Sequence, residues 1–152
     1  MSRTAAAVAG VYAIADTALL PPDRLHLVVT RVIAAGAAVV QYRDKSGDSR
    51  GRLSQAGALA QLCAAYRVPL IVNDDVRLAR EVNAAGVHLG RDDATPEEAR
   101  RLLGAGAVIG VSCYNSLEAA EEAAARGADY VAFGAFYPSS TKPGAVHADI
   151  PV

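Results

Sequence analysis

The chain has no excess of basic charge and no long apolar run, and these two absences exclude whole classes of partner. Its 152 residues include 15 basic and 16 acidic side chains, which gives a formal net charge of -1 at pH 7. Binding to nucleic acid or to an anionic membrane surface would call for a basic excess or a basic face. The longest early uncharged run, residues 4–15, is too short to cross a bilayer. We therefore expect small-molecule partners, with no nucleic acid and no membrane among them.

Cysteine is also scarce. Cys63 and Cys113 are the only two, and they have neither CxxC spacing nor a nearby histidine cluster. The sequence therefore indicates neither a zinc site nor a disulfide framework, and reduced thiols favour a cytoplasmic location. A hydrophobic content of 52% excludes disorder, and the length suits one domain covering residues 1–152.

Short apolar runs alternate with segments of helical spacing along the chain. Each run ends in polar side chains, and four of them follow a glycine that can stop the preceding helix. The six predicted strands lie at 11–16, 37–45, 70–72, 87–90, 108–111 and 130–134. The five segments between them are predicted to be helices.

Several helix starts carry a residue that can cap the first turn. Asp23 is predicted to cap the first helix and Ser116 the fifth, and residues 95–98 form a capping box with proline at the first helical position. Asp75 is interpreted as the cap of the third helix rather than as a ligand. The second and third helices are predicted at about 50–66 and 76–84.

The repeated strand and helix units predict an α/β fold of the (β/α)8 TIM-barrel type. A doubly wound sheet is disfavoured because no GxGxxG turn follows the first strand and every strand tip is polar. A complete barrel needs at least about 200 residues, so we expect a barrel truncated to about six parallel strands. Its open edges would favour pairing with another copy, which makes a homo-oligomer one expectation.

The tip of the second strand is the most informative stretch. Alternate residues of an extended strand face the same way, so Gln41, Arg43 and Lys45 are predicted to project together from the carboxyl end. In parallel α/β folds that end is where ligands bind. The alternative is that Arg43 and Lys45 are only solvated charges where the strand becomes a loop.

Other tips supply a complementary set of polar groups. Asp74 and Asp93, with Asn73 nearby, follow neighbouring strands and can converge on one hard cation, and Mg²⁺ favours one or two carboxylates beside water and phosphate oxygens. The cationic and hydroxyl side chains of the tips are Arg43, Lys45, Lys142, Ser112, Ser139 and Thr141. Together they predict a site for a diphosphate and a metal ion.

Some of these residues have plainer interpretations. Asp92 is expected to be a loop charge, and His88, within an apolar strand, is expected to be packed and hydrogen bonded rather than catalytic. Cys113 is expected to line the site without acting as a nucleophile, since no base is apparent nearby. Residues 139–141 could form only a turn, although Lys142 and the glycine after it favour an anion-binding loop.

These stretches resemble the thiamine phosphate synthase family, also called thiamin-phosphate pyrophosphorylase. The resemblance runs in order from the second to the sixth strand, through the segments 41–45, 72–75, 86–93, 109–112 and 127–142. It implies a transferase of thiamine biosynthesis that joins hydroxymethylpyrimidine diphosphate to hydroxyethylthiazole phosphate and releases diphosphate.

The resemblance also implies a role for each residue of the site. Gln41 would hold the pyrimidine, and Asp74 and Asp93 would bind Mg²⁺ as the cofactor. Ser139 and Thr141 would contact the thiazole phosphate. The diphosphate would be held by Arg43, Lys45, Asn73, Ser112 and Lys142. Arg43, Ser112 and Lys142 are the ones expected to assist catalysis directly.

The end of the chain departs from the family. Residues 145–152 contain neither the glycine-rich loop of a seventh strand nor the loop of an eighth, so we expect an incomplete site for the thiazole phosphate. Two alternatives stay open. One is a related thiazole tautomerase, which would not need the pyrimidine diphosphate site, and the other is a catalytically inactive remnant that binds diphosphate or only self-associates.

Overall fold

Six parallel strands alternate with five helices in the computed structural model, which describes residues 8–137 and 147–149. The strands are β1 (Val11–Asp16), β2 (Ala37–Arg43), β3 (Leu70–Asn73), β4 (Gly86–Leu89), β5 (Val108–Tyr114) and β6 (Tyr130–Phe133). The helices are α1 (Pro22–Ala34), α2 (Ser49–Ala65), α3 (Val76–Glu81), α4 (Pro96–Leu103) and α5 (Leu117–Ala125).

The strands lie in the sheet in the order in which they follow one another in the sequence, from β1 to β6, and every neighbouring pair is parallel. A doubly wound sheet would reverse this order at a switch point. The sheet also curls. Its curvature is shown by the hydroxyl oxygens of Tyr12 in β1 and Tyr130 in β6, which lie 2.8 Å apart. The predicted barrel-type α/β fold with about six parallel strands is therefore confirmed.

Helix starts follow the predicted caps with one exception. Thr95 and Glu98 form both hydrogen bonds of the capping box, and Asp75 and Ser116 accept from the amides of Leu78 and Ala119. The prediction for Asp23 was wrong. Helix α1 begins at Pro22, whose fixed φ suits the first helical position, and Asp23 lies within the first turn instead.

Other boundaries differ by a few residues. Helix α3 ends at Glu81 rather than near position 84, because Asn83 adopts a left-handed φ of 53°. Strand β5 continues to Tyr114 instead of ending at 111, since its pairing with β6 extends through a bulge. Helix α2 starts one residue before the predicted position, and Asp48 caps it by accepting from the amide of Gly51 at 2.9 Å.

Each strand sends alternate side chains to the helices and to the interior of the curl. On the helix side, Val40 and Tyr42 pack with Leu25 and Leu59 in the main apolar cluster. On the interior side, a smaller cluster contains Val39, Ile71 and Val108. Strand β2 is thus buried on both faces, as its sequence predicted. The interior cluster forms an apolar floor beneath the polar tips of the strands.

Two interior glycines allow close approach between neighbouring strands. A Cβ at Gly86 would lie 1.8 Å from the carbonyl oxygen of Val108, and one at Gly110 would lie 1.9 Å from the ring of Tyr130. Both distances are far below van der Waals contact. A side chain at either position would therefore push apart the strands that carry the polar tips.

Within the described ranges, 8–137 and 147–149, no helix combines the length and the apolar character that crossing a membrane requires.

We predict that Gly86→Ala lowers the free energy of unfolding by about 1–3 kcal/mol, the usual cost of overpacking. Gly57→Ala is the matched control, since a Cβ at this position in α2 would meet no atom within 4 Å beyond its adjacent residues and the backbone of its own helix. Alanine should raise stability there by up to about 1 kcal/mol through its higher helix propensity. Urea denaturation of the two variants measures both effects. Equal stability changes at the two positions would contradict this packing.

Candidate functional site

Interior side chains at the carboxyl ends of the strands line one cavity of about 550 Å³. Every strand from β1 to β6 contributes to it. The polar side chains around it are Tyr12, Asp16, Gln41, Arg43, Asn73, His88, Ser112, Tyr114 and Tyr130. Four residues predicted from the sequence for a single site, Gln41, Arg43, Asn73 and Ser112, therefore lie together.

A second cleft of about 260 Å³ adjoins this cavity and shares with it Arg43, Asn73, His88, Ser112 and Tyr114. The cleft adds the charged side chains of the neighbouring loops, Lys45, Asp74, Arg91, Asp92 and Asp93. The residues predicted from the sequence are thus divided between two adjoining spaces, a cavity rich in aromatic and amide side chains and a cleft rich in charged ones. Ser139, Thr141 and Lys142 lie outside the described residues.

Arg43 is held in place by Asp16. The Arg43 Nη1 donates to Asp16 Oδ2, and the side chains are only 12% and 8% exposed. The other carboxylate oxygen of Asp16 accepts from the amide of Ala18 at 3.0 Å. The guanidinium is therefore fixed at the rim of the cavity, and the interpretation of Arg43 as a solvated charge is wrong.

Sequence reasoning missed Asp16 as part of the site. Its position as the polar residue that ends β1 was visible, and the register places it opposite Arg43. Two interior residues of opposite charge on neighbouring parallel strands are a signal for a fixed ion pair, and that signal was available once the register was known.

Lys45 and Asp74 form a second ion pair at the edge of the cleft. The Lys45 ammonium contacts Asp74 Oδ2, and the lysine side chain is 60% exposed. Asp74 adopts a left-handed φ of 63°, which aspartate tolerates better than most residues, and its amide donates to the carbonyl of His88 at 2.8 Å. The turn directs the Asp74 carboxylate toward the loop that follows β4.

Asp93 lies in that loop, and its carboxylate faces that of Asp74. Burial and then the neighbouring Asp74 raise the pKa of Asp93, although the amide of Gly90, which donates to Asp93 Oδ2 at 2.7 Å, opposes the shift. Two carboxylates of like charge thus meet at one edge of the cleft, as the sequence predicted.

This pair suits one partly hydrated divalent cation better than a closed metal cage. Among the residues that the structure describes, no group of three or more His, Cys, Asp or Glu side chains could hold a metal ion. Mg²⁺, however, commonly takes one or two carboxylates and completes its octahedron with water and phosphate oxygens. Burial and the neighbouring Asp74 carboxylate both raise the pKa of Asp93, and a cation between the two carboxylates would oppose this shift.

His88 is packed and hydrogen bonded, as predicted. It is 9% exposed, its Nδ1 lies 2.9 Å from Tyr130 Oη and its Nε2 lies 2.8 Å from Ser112 Oγ. Burial raises the pKa of both Tyr130 and Tyr12, so both phenols are neutral near pH 7. Sequence reasoning did not anticipate the two tyrosines, and their only signal was an interior position on the first and sixth strands.

Cys113 does not line the cavity. Its side chain is fully buried on the helix side of β5, where it packs with Ala120 and Ala123. Burial raises the pKa of its thiol. The expectation that Cys113 lines the site was wrong because its side chain lies on the opposite face from that of Ser112, one residue earlier in the strand.

The fold and the rim together define a parallel β/α protein of the barrel type whose strand ends present cations, carboxylates and hydroxyls in one place. The family profile described as thiamine monophosphate synthase matches residues 11–151. The chain therefore belongs to the thiamine monophosphate synthase family, and the resemblance stated from the sequence is confirmed.

Individual relatives agree with this assignment. A thiamine-phosphate synthase of Thiobacillus denitrificans is 56% identical over 143 residues, which cover 93% of this chain and 66% of that protein. One of an Azoarcus species is 61% identical over 122 residues, which cover 80% of this chain and 59% of that protein. The chain thus spans about three fifths to two thirds of the length of these relatives.

Solved structures show the same fold. Thiamine phosphate pyrophosphorylase from Pyrococcus furiosus superposes with a TM-score of 0.75 at 34% identity, over 84% of this chain and 61% of that one. A Schiff-base-forming fructose-1,6-bisphosphate aldolase superposes with a TM-score of 0.58 at 17% identity, over 70% of this chain and 54% of that one, which shows likeness of fold alone.

We predict that Asp16→Asn lowers the free energy of unfolding by about 1–3 kcal/mol, because it leaves the guanidinium of Arg43 largely buried without its counter-charge. Glu97→Gln is the matched control, since it breaks an exposed ion pair with Arg126 and should have little effect. Chemical denaturation at neutral pH compares them. If both variants lose the same stability, Asp16 does not anchor Arg43 in the way the geometry indicates.

Proposed function

We propose that this chain carries out thiamine phosphate synthesis, condensing hydroxymethylpyrimidine diphosphate with hydroxyethylthiazole phosphate and releasing diphosphate. The observation that carries the proposal is the convergence of Arg43, Ser112, Asp74 and Asp93 on one rim of a chain that belongs to this family. The relatives are longer than this chain, so the activity of the whole enzyme is a proposal here. The four residues named above support it.

The diphosphate would lie in the charged cleft. Arg43 and Lys45 supply positive charge there, and Asn73 and Ser112 supply neutral hydrogen-bond donors. Arg43 is held in place by its largely buried ion pair with Asp16 before any ligand binds. We assign Lys142 to the same ligand from the family resemblance alone, since it lies outside the described residues.

Mg²⁺ would be held by Asp74 and Asp93. When bound, it would neutralise negative charge on the diphosphate oxygens, a contribution typical of metal ions in phosphoryl chemistry. Lys45 now contacts the Asp74 carboxylate, and it would turn to the diphosphate when a cation takes its place. The exposure of the lysine side chain leaves it free to make this movement.

The pyrimidine would enter the larger cavity. Gln41 is 3% exposed and lies beside the rings of Tyr12 and Tyr130, so its amide can hold a ring nitrogen or an amino group while the aromatic rings pack against the base. The cavity volume of about 550 Å³ is within the usual range for small-molecule sites.

The reaction does not require a protein nucleophile. The bond between the pyrimidine methylene carbon and the diphosphate oxygen breaks, and its electron pair leaves with the diphosphate. The amino group of the pyrimidine delocalises the resulting cation. The thiazole nitrogen then donates its lone pair to the methylene carbon and forms the new carbon–nitrogen bond. Arg43, Lys45 and Ser112 assist by stabilising negative charge on the leaving group.

The thiazole phosphate is proposed to contact Ser139 and Thr141. This assignment rests on the family resemblance, since both residues lie outside the described residues. Keeping the thiazole beside the methylene cation would favour capture by nitrogen over capture by water.

We predict that Asp93→Ala weakens Mg²⁺-dependent diphosphate binding on the order of 10- to 100-fold, the usual worth of an interaction with a charged group. Asp92→Ala is the matched control, because Asp92 lines the same cleft, whereas it is Asp93 whose carboxylate meets that of Asp74. Isothermal titration calorimetry with diphosphate, with and without Mg²⁺, measures both variants.

Formation of thiamine phosphate from the two substrates tests the whole proposal. We expect wild-type chain and Asp92→Ala to form it and Asp93→Ala to be impaired. Equal effects of the two aspartate variants on binding would contradict the metal assignment. Absence of diphosphate binding by the wild-type chain, with no further loss in Asp74→Ala, would favour the inactive scaffold instead.

A further inference from the structure

Side chains from five different strands form one continuous hydrogen-bonded chain across the interior of the curl. Its links are Gln41 Nε2 to Tyr12 Oη at 2.9 Å, Tyr12 Oη to Tyr130 Oη at 2.8 Å, Tyr130 Oη to His88 Nδ1 at 2.9 Å and His88 Nε2 to Ser112 Oγ at 2.8 Å. The chain begins at the residue proposed to hold the pyrimidine and ends at one proposed to hold the diphosphate.

Packing fixes the middle of this chain. The ring of Tyr130 lies over Gly110, where a Cβ would approach it to 1.9 Å, and this close approach lets its hydroxyl reach toward β4 and β1. The ring of Tyr130 also lies 5.9 Å from that of Tyr12 and 5.6 Å from that of His88, centroid to centroid. A tyrosine at 130 therefore needs a glycine at 110.

The direction of the hydrogen bonds follows from the amide at one end. Gln41 Nε2 can only donate, so Tyr12 Oη accepts from it. If Tyr12 then donates to Tyr130 and Tyr130 donates to His88 Nδ1, each hydroxyl in the chain gives its hydrogen to a neighbour. In the opposite direction Tyr12 would accept twice and its own hydrogen would have no acceptor among these side chains, which is costly for a partly buried hydroxyl.

This direction determines whether the hydroxyl hydrogen of Ser112 is available to a ligand. With Nδ1 accepting from Tyr130, the imidazole carries its hydrogen on Nε2 and donates to Ser112 Oγ. The hydroxyl hydrogen of Ser112 is then available to an anion in the charged cleft. In the opposite direction Ser112 would donate to His88 and present only lone pairs, which repel a diphosphate oxygen.

We propose that Tyr12, Tyr130 and His88 are positioning residues that hold His88 as the Nε2–H tautomer and so direct the Ser112 hydroxyl hydrogen to a diphosphate oxygen. The identity of the ligand rests on the proposed function, whereas the tautomer of His88 is a property of the protein without any ligand. Tyr12 and Tyr130 line the larger cavity, and His88 lines the charged cleft beside Ser112, through whose hydroxyl all three are proposed to act.

The first experiment determines the tautomer without any ligand. Long-range ¹H–¹⁵N correlation spectra distinguish Nε2–H from Nδ1–H imidazole, and the spectrum of His88→Gln identifies the signals of His88 among the three histidines. We expect the Nε2–H form near pH 7.5. A dominant Nδ1–H form would overturn the proposal.

The second experiment removes one hydrogen-bonding hydroxyl at a time from this network. Tyr130→Phe keeps the ring but removes the donor to Nδ1, so His88 should populate both tautomers and the affinity for Mg²⁺-diphosphate should fall about tenfold. Tyr12→Phe keeps that donor and should have a smaller effect. Tyr66→Phe, an exposed tyrosine at the end of α2, is the matched control and should change neither measurement.

A double-mutant cycle separates positioning from a general loss of structure. Once Ser112→Ala has removed the hydroxyl, adding Tyr130→Phe should cost no further affinity, because both changes act on the same hydrogen bond. Additive losses, or an unchanged tautomer in Tyr130→Phe, would overturn the proposal. A wild-type chain that shows the Nε2–H form but binds no diphosphate would refute the proposed function rather than the direction of the hydrogen bonds.

Discussion

Parallel pairing of strands in sequence order is the constraint on which this structure depends. Because each strand neighbours the next and the sheet curls, the interior positions at all six carboxyl ends face a common space. The curl brings the first and sixth strands close enough for the side chains of Tyr12 and Tyr130 to form a hydrogen bond. Residues separated by more than a hundred positions thus become neighbours, and the site follows from the topology.

Charge at the rim is arranged in pairs before any ligand arrives. Asp16 holds Arg43, Lys45 contacts Asp74, and Asp74 adjoins Asp93. The buried pair fixes a cation where an anion is proposed to bind, and the exposed pair can separate at little cost. A diphosphate with Mg²⁺ would match this arrangement, since the metal would bind the carboxylates of Asp74 and Asp93 and the diphosphate would pair with Arg43 and Lys45.

Much of this could be predicted from the sequence. Alternation within β2 predicted that Gln41 and Arg43 lie together. Lys45, predicted to project with them, follows the end of the strand and lines only the adjoining cleft. The glycines that end helices and the polar residues that end strands indicated the repeated units of a barrel-type fold. The partners that hold the site in place could not be predicted, because they depend on the register between strands and on curl. Asp16 opposite Arg43, Tyr130 over Gly110 and Cys113 on the helix side all follow from register or from which face a side chain takes. Local sequence specifies neither.

Asp74 and Asp93 are proposed to hold a divalent cation beneath a diphosphate bound by Arg43 and Ser112. The most direct test is a crystal structure of the chain with Mn²⁺ and diphosphate, with the metal located by anomalous scattering. We predict one peak between the two carboxylates, with diphosphate oxygens on the metal and within hydrogen-bond distance of Arg43 and Ser112. A metal peak away from both aspartates, or diphosphate bound elsewhere, would contradict it.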